Sequence, residues 1–329
     1  MKLLRRLGVV TLAGLAAAAW CGWRITRPYQ AFSGETYVEF PRGTGSRALA
    51  LALAEAGVVR SRWDFLLVRA LSPGRVLHAG EYRFTRPASP LEVFDRIARG
   101  DSFYYALVVP EGKNMFDIAA AAAGFGLFSA TSFLDAARDP SLIRDLDPDA
   151  PTLEGYLFPS TYRLSRHTTP AELCRMMTAR FREAWRRVDG AASAHRTVTL
   201  ASLVEKESKL PAERPRIAAV FANRLRLGMT LDCDPTTIYA ALVEERYRGA
   251  IHRSDLASGN PYNTYRHAGL PPGPIANPGL ESIRAVLAPA ETDALYFVLR
   301  PDGSAAHQFS RNMADHQAAV TLYRRAKKK

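Results

Sequence analysis

The segment Thr197–Leu210 reads Thr-Val-Thr-Leu-Ala-Ser-Leu-Val-Glu-Lys-Glu-Ser-Lys-Leu, and it predicts the helix that carries the candidate chemistry. At 3.6 residues per turn, three apolar residues share one side of this helix and predict contact with a core: Leu200, Leu203 and Val204. Glu207 follows them by seven, four and three positions, so its carboxyl projects from the same apolar stripe. Glu205 projects away from the stripe, which predicts a solvated side chain. The helix therefore offers one carboxyl group to an apolar face and another to water.

The position of Glu207 has two interpretations. A carboxyl group held against apolar surface loses hydration of its charged form, which raises its pKa. A raised pKa is what a general acid needs to work near neutral pH. In the other interpretation, Glu207 lies at the rim of the stripe and forms a structural ion pair with an arginine. The helix pattern alone leaves both open.

Composition narrows the class of protein without identifying a function. The 329 residues are 47% hydrophobic and 23% charged, which indicates a folded globular protein and excludes a mostly disordered, collagen-like or multi-span membrane chain. A net charge of +12 favours a polyanionic partner such as nucleic acid, an anionic lipid surface or a carboxylate-bearing polymer. Cys21, Cys174 and Cys233 are too few and too scattered for a disulfide framework or a structural zinc site. His307 and His316 are nine residues apart, a spacing that matches no common metal site, so no metal is expected.

The first thirty residues predict export. Leu7–Trp23 contains no charge over seventeen residues, which is the lower limit for a membrane-spanning helix, and Trp20 and Trp23 lie where an interfacial aromatic belt would. More positive charge precedes this run than follows it, although Arg24 and Arg27 count against the difference. We predict a cytoplasmic N-terminus at 1–6, an uncleaved transmembrane anchor at 7–24 and the remaining chain outside the cytoplasm. A cleaved signal peptide is the alternative, since Ala-Ala-Ala at 17–19 fits the A-x-A pattern.

The exported part begins with a strand–helix–helix–strand pattern. Tyr37–Phe40 alternates like a strand, Ser46 and Ser61 are candidate N-caps of two helices, and Gly80–Phe84 predicts a second strand. This order resembles a LysM-like glycan-binding module, which we assign to residues 30–105.

The remainder of the chain is predicted to be a mixed α/β body, so the fold class is α+β with an N-terminal transmembrane helix. We assign 106–195 to a connecting α+β region and 196–329 to the catalytic region. Within the first of these, Asp135–Pro151 is polar, contains three prolines and is the most linker-like segment. Thr169 and Pro170 predict the start of a long helix.

Several ordered motifs accompany the central helix. In chain order they are Leu-Glu-Gly-Tyr-Leu-Phe-Pro at 153–159, Val-Phe-Ala-Asn-Arg-Leu at 220–225, Gly-Met-Thr-Leu at 228–231, Asp-Pro-Thr-Thr-Ile-Tyr at 234–239, Tyr-Asn-Thr-Tyr at 262–265, Gly-Leu-Pro-Pro-Gly-Pro-Ile at 269–275 and His-Gln-Phe-Ser-Arg-Asn at 307–312. Together with Leu-Ala-Ser-Leu-Val-Glu-Lys-Glu-Ser at 200–208, they resemble the endolytic murein transglycosylases of the YceG-like (MltG) family. The resemblance covers nearly the whole chain.

The resemblance implies an activity and a catalytic residue. The family's catalytic glutamate is the second of the Glu-Lys-Glu pair, which is Glu207 here, on a helix of the catalytic domain. The implied reaction cleaves the β-1,4 bond between N-acetylmuramic acid and N-acetylglucosamine within nascent glycan strands, forms a 1,6-anhydro end and needs no cofactor. The resemblance also implies cooperation with peptidoglycan synthases at the bacterial inner membrane. Cys233 stands where the family usually has a small or polar residue, and we expect it not to contact Glu207.

Six polar or aromatic residues are candidate substrate-binding groups: Glu205, Asn223, Asp234, Tyr262, Asn263 and Tyr265. Turn and capping roles are an equally good interpretation, since Asp234 before Pro235 is a suitable N-cap for the next helix.

Two other functions remain open. A hydrolytic muramidase would use Glu207 as acid and Asp232 or Asp234 as base, with a second carboxylate at a set separation. A non-catalytic peptidoglycan-binding scaffold would depend on the LysM-like region instead. Nucleic acid is disfavoured as a partner by export and by the lack of a nucleic-acid-binding motif.

Overall fold

The computed structural model describes residues 2–188 and 193–327, with side chains from Gly8 onward. Of the predicted regions, residue 1 of the cytoplasmic segment, 189–192 of the connecting region and 328–329 of the catalytic region lie outside the described residues. The chain forms two compact units, Met1–Tyr104 and Tyr105–Lys329, which we describe separately. Both helices and small antiparallel sheets are present, so the α+β fold class is confirmed.

Unit 1 contains the apolar N-terminal helix and a small α+β body. Its elements are α1 (Lys2–Thr26), β1 (Thr36–Phe40), α2 (Ser46–Glu55), α3 (Arg62–Leu71), β2 (Gly80–Phe84) and α4 (Pro90–Arg99). Within α1, the 19 residues Gly8–Thr26 are long and apolar enough to cross a membrane by length and composition.

The body of unit 1 follows from local signals in the sequence. β1 and β2 pair antiparallel with Val38 opposite Tyr82, and α2, α3 and α4 cover the sheet around a core that includes Phe65 and Phe94. The Ser61 side chain caps α3 by accepting the backbone N–H of Trp63, as predicted. Ser46, in contrast, is the first residue of α2, and Gly45 is the N-cap without a side-chain hydrogen bond. The predicted strand–helix–helix–strand order is therefore present, although one cap was wrong.

Unit 2 carries the remaining elements. They are β3 (Tyr105–Val109), α5 (Met115–Ala123), α6 (Ala130–Arg138), a 3₁₀ turn (Pro140–Ile143), β4 (Ser160–Leu164), α7 (Pro170–Trp185), α8 (Ala194–Glu207), a 3₁₀ turn (Pro211–Glu213), α9 (Arg214–Arg226), α10 (Asp234–Val243), α11 (Arg253–Leu256), α12 (Leu280–Leu287), β5 (Tyr296–Leu299), β6 (His307–Ser310) and α13 (Met313–Ala326). β3 pairs with β4, and β5 pairs with β6, each antiparallel. Thr169 and Pro170 begin α7 with a capping box completed by Glu172.

Helix α8 lies between two hydrophobic cores of unit 2. Val198 and Ala201 belong to a core formed with β3, β4, α5, α6 and α7, whose largest side chains include Tyr156 and Phe181. The predicted stripe of Leu200, Leu203 and Val204 belongs to a second core with residues of α9, α10 and α12. Every residue from Thr197 to Val204 is buried, so α8 is a central helix rather than a surface one.

The segment Asp135–Pro151 is not a linker. It contains the end of α6 and a 3₁₀ turn, and it packs into the first core through Ile143 and Ala150. The carboxylate of Asp147 is buried, where it accepts hydrogen bonds from the Tyr156 hydroxyl and the His195 ring. Because these partners satisfy the buried carboxylate, a segment whose polar composition suggested a linker can belong to the core.

Candidate active site

Glu207 is the last residue of α8. The chain leaves the helix at Ser208, whose backbone is extended, so the Glu207 carboxyl lies at the C-terminal end of a buried helix. The unpaired carbonyl groups at a helix C-terminus carry partial negative charge, which disfavours a carboxylate there. Burial raises the pKa of Glu207, and the nearby Asp234 carboxylate raises it further, while the Cys233 hydrogen bond and His307 act in the opposite direction. The direction agrees with the prediction from the apolar stripe.

Cys233 contacts Glu207, contrary to expectation. Its Sγ lies 3.2 Å from Oε1 of Glu207 and donates a hydrogen bond to it. The thiol is buried, and burial together with the neighbouring Glu207 raises its pKa well above the ordinary value, so it stays a neutral donor. Because a thiol is a weak donor, it orients the carboxyl group with little stabilisation of the charged form. Sequence spacing gave no indication of this contact, since 26 residues separate the two side chains.

An open cleft of about 600 Å³ surrounds the carboxyl group. Its lining combines aromatic and polar side chains: Glu207, Phe221, Arg224, Leu231, Asp232, Asp234, Tyr265, Tyr296, Phe297, Met313, His316, Gln317, Val320, Thr321 and Arg324. One wall is α13, from Met313 to Arg324, and the His316 ring stacks on Tyr296 with the ring centroids 5.1 Å apart. No sequence motif marks α13 as part of a site, so this wall could not be predicted from the sequence.

Of the predicted binding residues, the cleft contains Asp234 and Tyr265 besides Glu207. The Tyr265 hydroxyl donates a 2.6 Å hydrogen bond to Asp234, and burial with this bond raises the pKa of Tyr265. Asp234 is the first residue of α10, and Cys233 occupies the N-cap position, so Asp234 is not an N-cap. Asp232 pairs with Arg224 at 3.2 Å across the same cleft.

The Glu205 side chain is enclosed by protein, so its predicted exposure was wrong. Its side chain is only 6% exposed and pairs with Arg214 at 2.9 Å. It also accepts hydrogen bonds from the backbone N–H of Gly279 at 3.0 Å and the hydroxyl of Ser282 at 2.8 Å. The expectation failed because α8 is enclosed on more than one side, so its second face meets protein instead of water. Glu205 therefore forms the arginine ion pair that had been the alternative interpretation of Glu207.

Asn223, Tyr262 and Asn263 lie outside the cleft lining. The Asn223 amide donates to the carbonyl groups of Thr292 and Ala294, at 2.9 and 3.2 Å. Tyr262 packs against Tyr239 with ring centroids 4.9 Å apart. Asn263 is fully buried, and its amide donates to backbone carbonyl groups of 255–258. In the geometry of this chain, all three hold loops in position.

Another buried carboxyl group, that of Glu154, joins the motif at 153–159 to two distant segments. Glu154 accepts hydrogen bonds from the backbone N–H of Met115 and the amide of Asn277, each at 2.8 Å, and burial raises its pKa to about 8. Next to it, Gly155 has φ of +87°, and a Cβ there would lie 2.4 Å from Cγ of Pro274. The motifs at 153–159 and 269–275 therefore pack in direct contact at Gly155, where there is no room for a side chain.

The fold and the cleft together define a class of protein. Among the described residues, no group of three or more His, Cys, Asp or Glu side chains is arranged to hold a metal ion. The site instead centres on one desolvated carboxyl group in a cleft lined by aromatic and polar side chains. Such a site is typical of enzymes that cleave by general acid–base chemistry.

The chain belongs to the YceG-like family, whose model matches residues 38–322. It is 32% identical to the endolytic murein transglycosylase of Bacillus subtilis (strain 168), over 87% of this chain and 84% of the relative. It is 28% identical to the endolytic murein transglycosylase of Streptococcus pneumoniae serotype 2, over 95% of this chain but only 63% of that longer relative. The crystal structure of a YceG-like protein from Listeria monocytogenes superposes with a TM-score of 0.56 at 28% identity, covering 87% of this chain and 99% of that one. The predicted family resemblance is thereby confirmed.

Proposed function

We propose that this protein is an endolytic peptidoglycan lytic transglycosylase with Glu207 as its catalytic residue. The observation that carries the proposal is the desolvated Glu207 carboxyl, held by a weak donor in an open cleft of a YceG-like chain. The relatives from B. subtilis and S. pneumoniae are named for the same activity. The substrate is the β-1,4 bond between N-acetylmuramic acid and N-acetylglucosamine inside a glycan strand.

One carboxyl group suffices for this reaction. Protonated Glu207 donates its proton to the leaving glycosidic oxygen as positive charge develops at C1 of the muramic acid ring. The same group, now ionised, accepts the proton of the C6 hydroxyl as that oxygen attacks C1. The product is a 1,6-anhydro end, no water is consumed and Glu207 regains its starting protonation state. Burial and the helix C-terminus favour the neutral starting form, which is the form that the first step requires.

The shape of the cleft suits a polymer. Its α13 wall extends from Met313 to Arg324, which is roughly 16 Å of helix. Tyr265 offers an aromatic face for a sugar ring, and Gln317 offers an amide for hydroxyl groups. We assign substrate binding first to Asp234 and Tyr265, which lie in the cleft. Glu205, Asn223, Tyr262 and Asn263 are assigned to support of the surrounding helices and loops.

The remaining parts of the chain fit action on nascent strands at the membrane. We propose that 7–24 anchors the protein as a single-pass helix in the bacterial inner membrane, with 1–6 in the cytoplasm. Residues 30–105 form a LysM-like glycan-binding region, supported by the β1–α2–α3–β2 order and the antiparallel pairing of its strands. Residues 106–195 form the connecting region, and residues 196–329 form the catalytic region. The partners are glycan strands and the synthases that polymerise them.

A hydrolytic muramidase is the second candidate, because Asp232 and Asp234 line the same cleft as Glu207. Both carboxylates have partners, Arg224 and the Tyr265 hydroxyl, which favours support over activation of water. A hydrolase would leave reducing ends, whereas a transglycosylase leaves anhydro ends.

The test uses the full chain and its Glu207→Gln variant on purified, uncrosslinked glycan strands. Products are reduced with borohydride and analysed by mass spectrometry. We expect internal cuts with non-reducible anhydro ends from the parent protein and no products from the variant. Reducible ends would show that the protein is a hydrolytic muramidase instead. Binding of the strands without cleavage would show that it is a non-catalytic scaffold.

A further inference from the structure

The end of the apolar helix α1 is fastened to the folded body of unit 1. Arg24 donates to both carboxylate oxygens of Asp64 on α3, at 2.8–3.0 Å, and Asp64 is only 7% exposed. Ile25 packs against the core of unit 1, and two backbone hydrogen bonds join Tyr29 to Ala88. The helix therefore enters the body through fixed contacts.

These contacts set the depth of the body relative to a bilayer. The candidate span Gly8–Thr26 measures roughly 28 Å, slightly less than the ~30 Å of a bilayer core. Arg24 lies inside this span, two residues before its end, and its partner Asp64 belongs to the first turn of α3. If α1 spans the membrane, the first turn of α3 must lie at the membrane surface.

The residues around this junction have the chemistry of a membrane interface. Three exposed guanidinium groups stack on aromatic rings: Arg27 on Trp23, Arg60 on Tyr29 and Arg62 on Trp63, at 4.7, 4.9 and 5.0 Å. Within the described residues, none of the three arginines forms an ion pair with a carboxylate, whereas Arg24 is neutralised by Asp64. Trp63 is 65% exposed although its neighbours Asp64 and Phe65 are buried. Tryptophan favours the headgroup level, and unpaired arginine favours phosphate.

We propose that this collar, formed by Trp20, Trp23, Arg27, Arg60, Arg62 and Trp63, is a bilayer-docking surface that binds the phosphate groups of anionic lipids. The proposal rests on the membrane anchoring proposed above and extends it. The anchor does not merely tether the protein; the collar orients unit 1 on the outer surface of the membrane. Arg24 and Arg27, which weakened the charge argument for the orientation of α1, then serve the folded protein as an internal ion pair and a lipid contact.

The test measures the position of Trp63 in full-length protein reconstituted into lipid nanodiscs. Tryptophan emission is recorded with lipids that carry a nitroxide on the headgroup, and Trp63→Phe isolates the Trp63 contribution by difference. Discs contain phosphatidylcholine alone or mixed with phosphatidylglycerol. We expect strong quenching of Trp63 that increases with the anionic lipid, because three arginines favour the docked orientation on the order of a hundredfold.

Two matched charge variants test the role of the arginines. The triple variant of the collar replaces Arg27, Arg60 and Arg62 with Gln, and the control replaces the exposed Arg253, Arg266 and Arg300 of unit 2. We expect the additional quenching of Trp63 by anionic lipid to disappear in the collar variant and to persist in the control variant. Quenching of Trp20 and Trp23 without Trp63 would overturn the collar and leave the anchor intact. If none of the three tryptophans is quenched, both the collar and the anchor are overturned. Quenching that does not depend on lipid charge, or that changes equally in both variants, would overturn phosphate binding.

Discussion

The hydrogen bond from Cys233 to Glu207 predicts opposite effects of two small substitutions on the pH dependence of cleavage. Glu207 must be protonated to begin the reaction, and its pKa is raised by burial, so activity should fall on the alkaline side as the carboxyl ionises. Cys233→Ser replaces a weak S–H donor with a stronger O–H donor that stabilises the carboxylate. Cys233→Ala removes the donor and leaves the carboxylate less stable.

The size of the effect follows from the contact. Replacing a thiol by a hydroxyl against a buried carboxylate changes the balance between the two protonation states by about 1 kcal/mol. At a pH on the alkaline limb, Cys233→Ser should therefore reduce kcat/KM by about fivefold and move the limb to lower pH. Cys233→Ala should move the limb to higher pH, with a lower plateau because the carboxyl loses its orienting partner.

The assay is kcat/KM for release of anhydro ends, measured with each variant from acidic to alkaline pH. Cys174→Ser and Cys174→Ala are the matched controls, because Cys174 is another buried thiol, in α7, whose pKa burial raises to about 12. Both controls should leave the alkaline limb unchanged. Movement of the limb in the same direction for both Cys233 variants, or no movement in either, would refute the reasoning.

Three further predictions concern carboxyl groups of unit 2. Glu207→Gln should abolish cleavage, raise the melting temperature at pH 8 and leave it unchanged at pH 4. Because the folded-state pKa of Glu207 is raised, the wild type loses no stability below the unfolded pKa but is destabilised above the folded one. Equal melting temperatures of the two proteins at pH 8 would contradict this prediction. Glu205→Gln should lower stability by about 2 kcal/mol in denaturant unfolding, because the buried Arg214 keeps only its longer 3.4 Å contact with the half-exposed Glu111. The exposed neighbour Lys206→Gln should change stability by less than about 0.5 kcal/mol, and similar losses in both would contradict the role of the ion pair. Glu154, whose pKa burial raises to about 8, is neutral in the folded protein at pH 7 but ionised in the unfolded chain, so the wild type loses stability between about pH 4.5 and pH 8. Glu154→Gln should therefore be nearly neutral at pH 4 and relatively stabilising at pH 9; a constant difference between these two pH values by thermal melting would contradict the assignment.

Local signals in the sequence predicted local structure well. The caps of α3 and α7 and the order of β1, α2, α3 and β2 depend on neighbours within a few residues, and the sequence contains those neighbours. The stripe of α8 likewise predicted which side of the helix meets a core. Such features need no knowledge of distant segments.

Contacts between residues far apart in the chain could not be predicted from the sequence. The amphipathic pattern of α8 describes one buried face, and only the packed fold reveals that Glu205 meets Arg214 and residues near α12. The thiol at Glu207 and the α13 wall of the cleft likewise come from segments far along the chain. The compensation of Asp147 by Tyr156 and His195 made a polar, proline-rich segment part of a core instead of a linker.

The burial of α8 between two cores has a consequence for when the protein acquires its proposed activity. Thr197, Val198, Thr199 and Val204 are β-branched, and a fourteen-residue helix containing them is unstable in isolation. The helix that carries Glu207 forms only when both cores close around it. A nascent or partly unfolded chain thus has no assembled acid site, so the proposed activity is acquired only on folding.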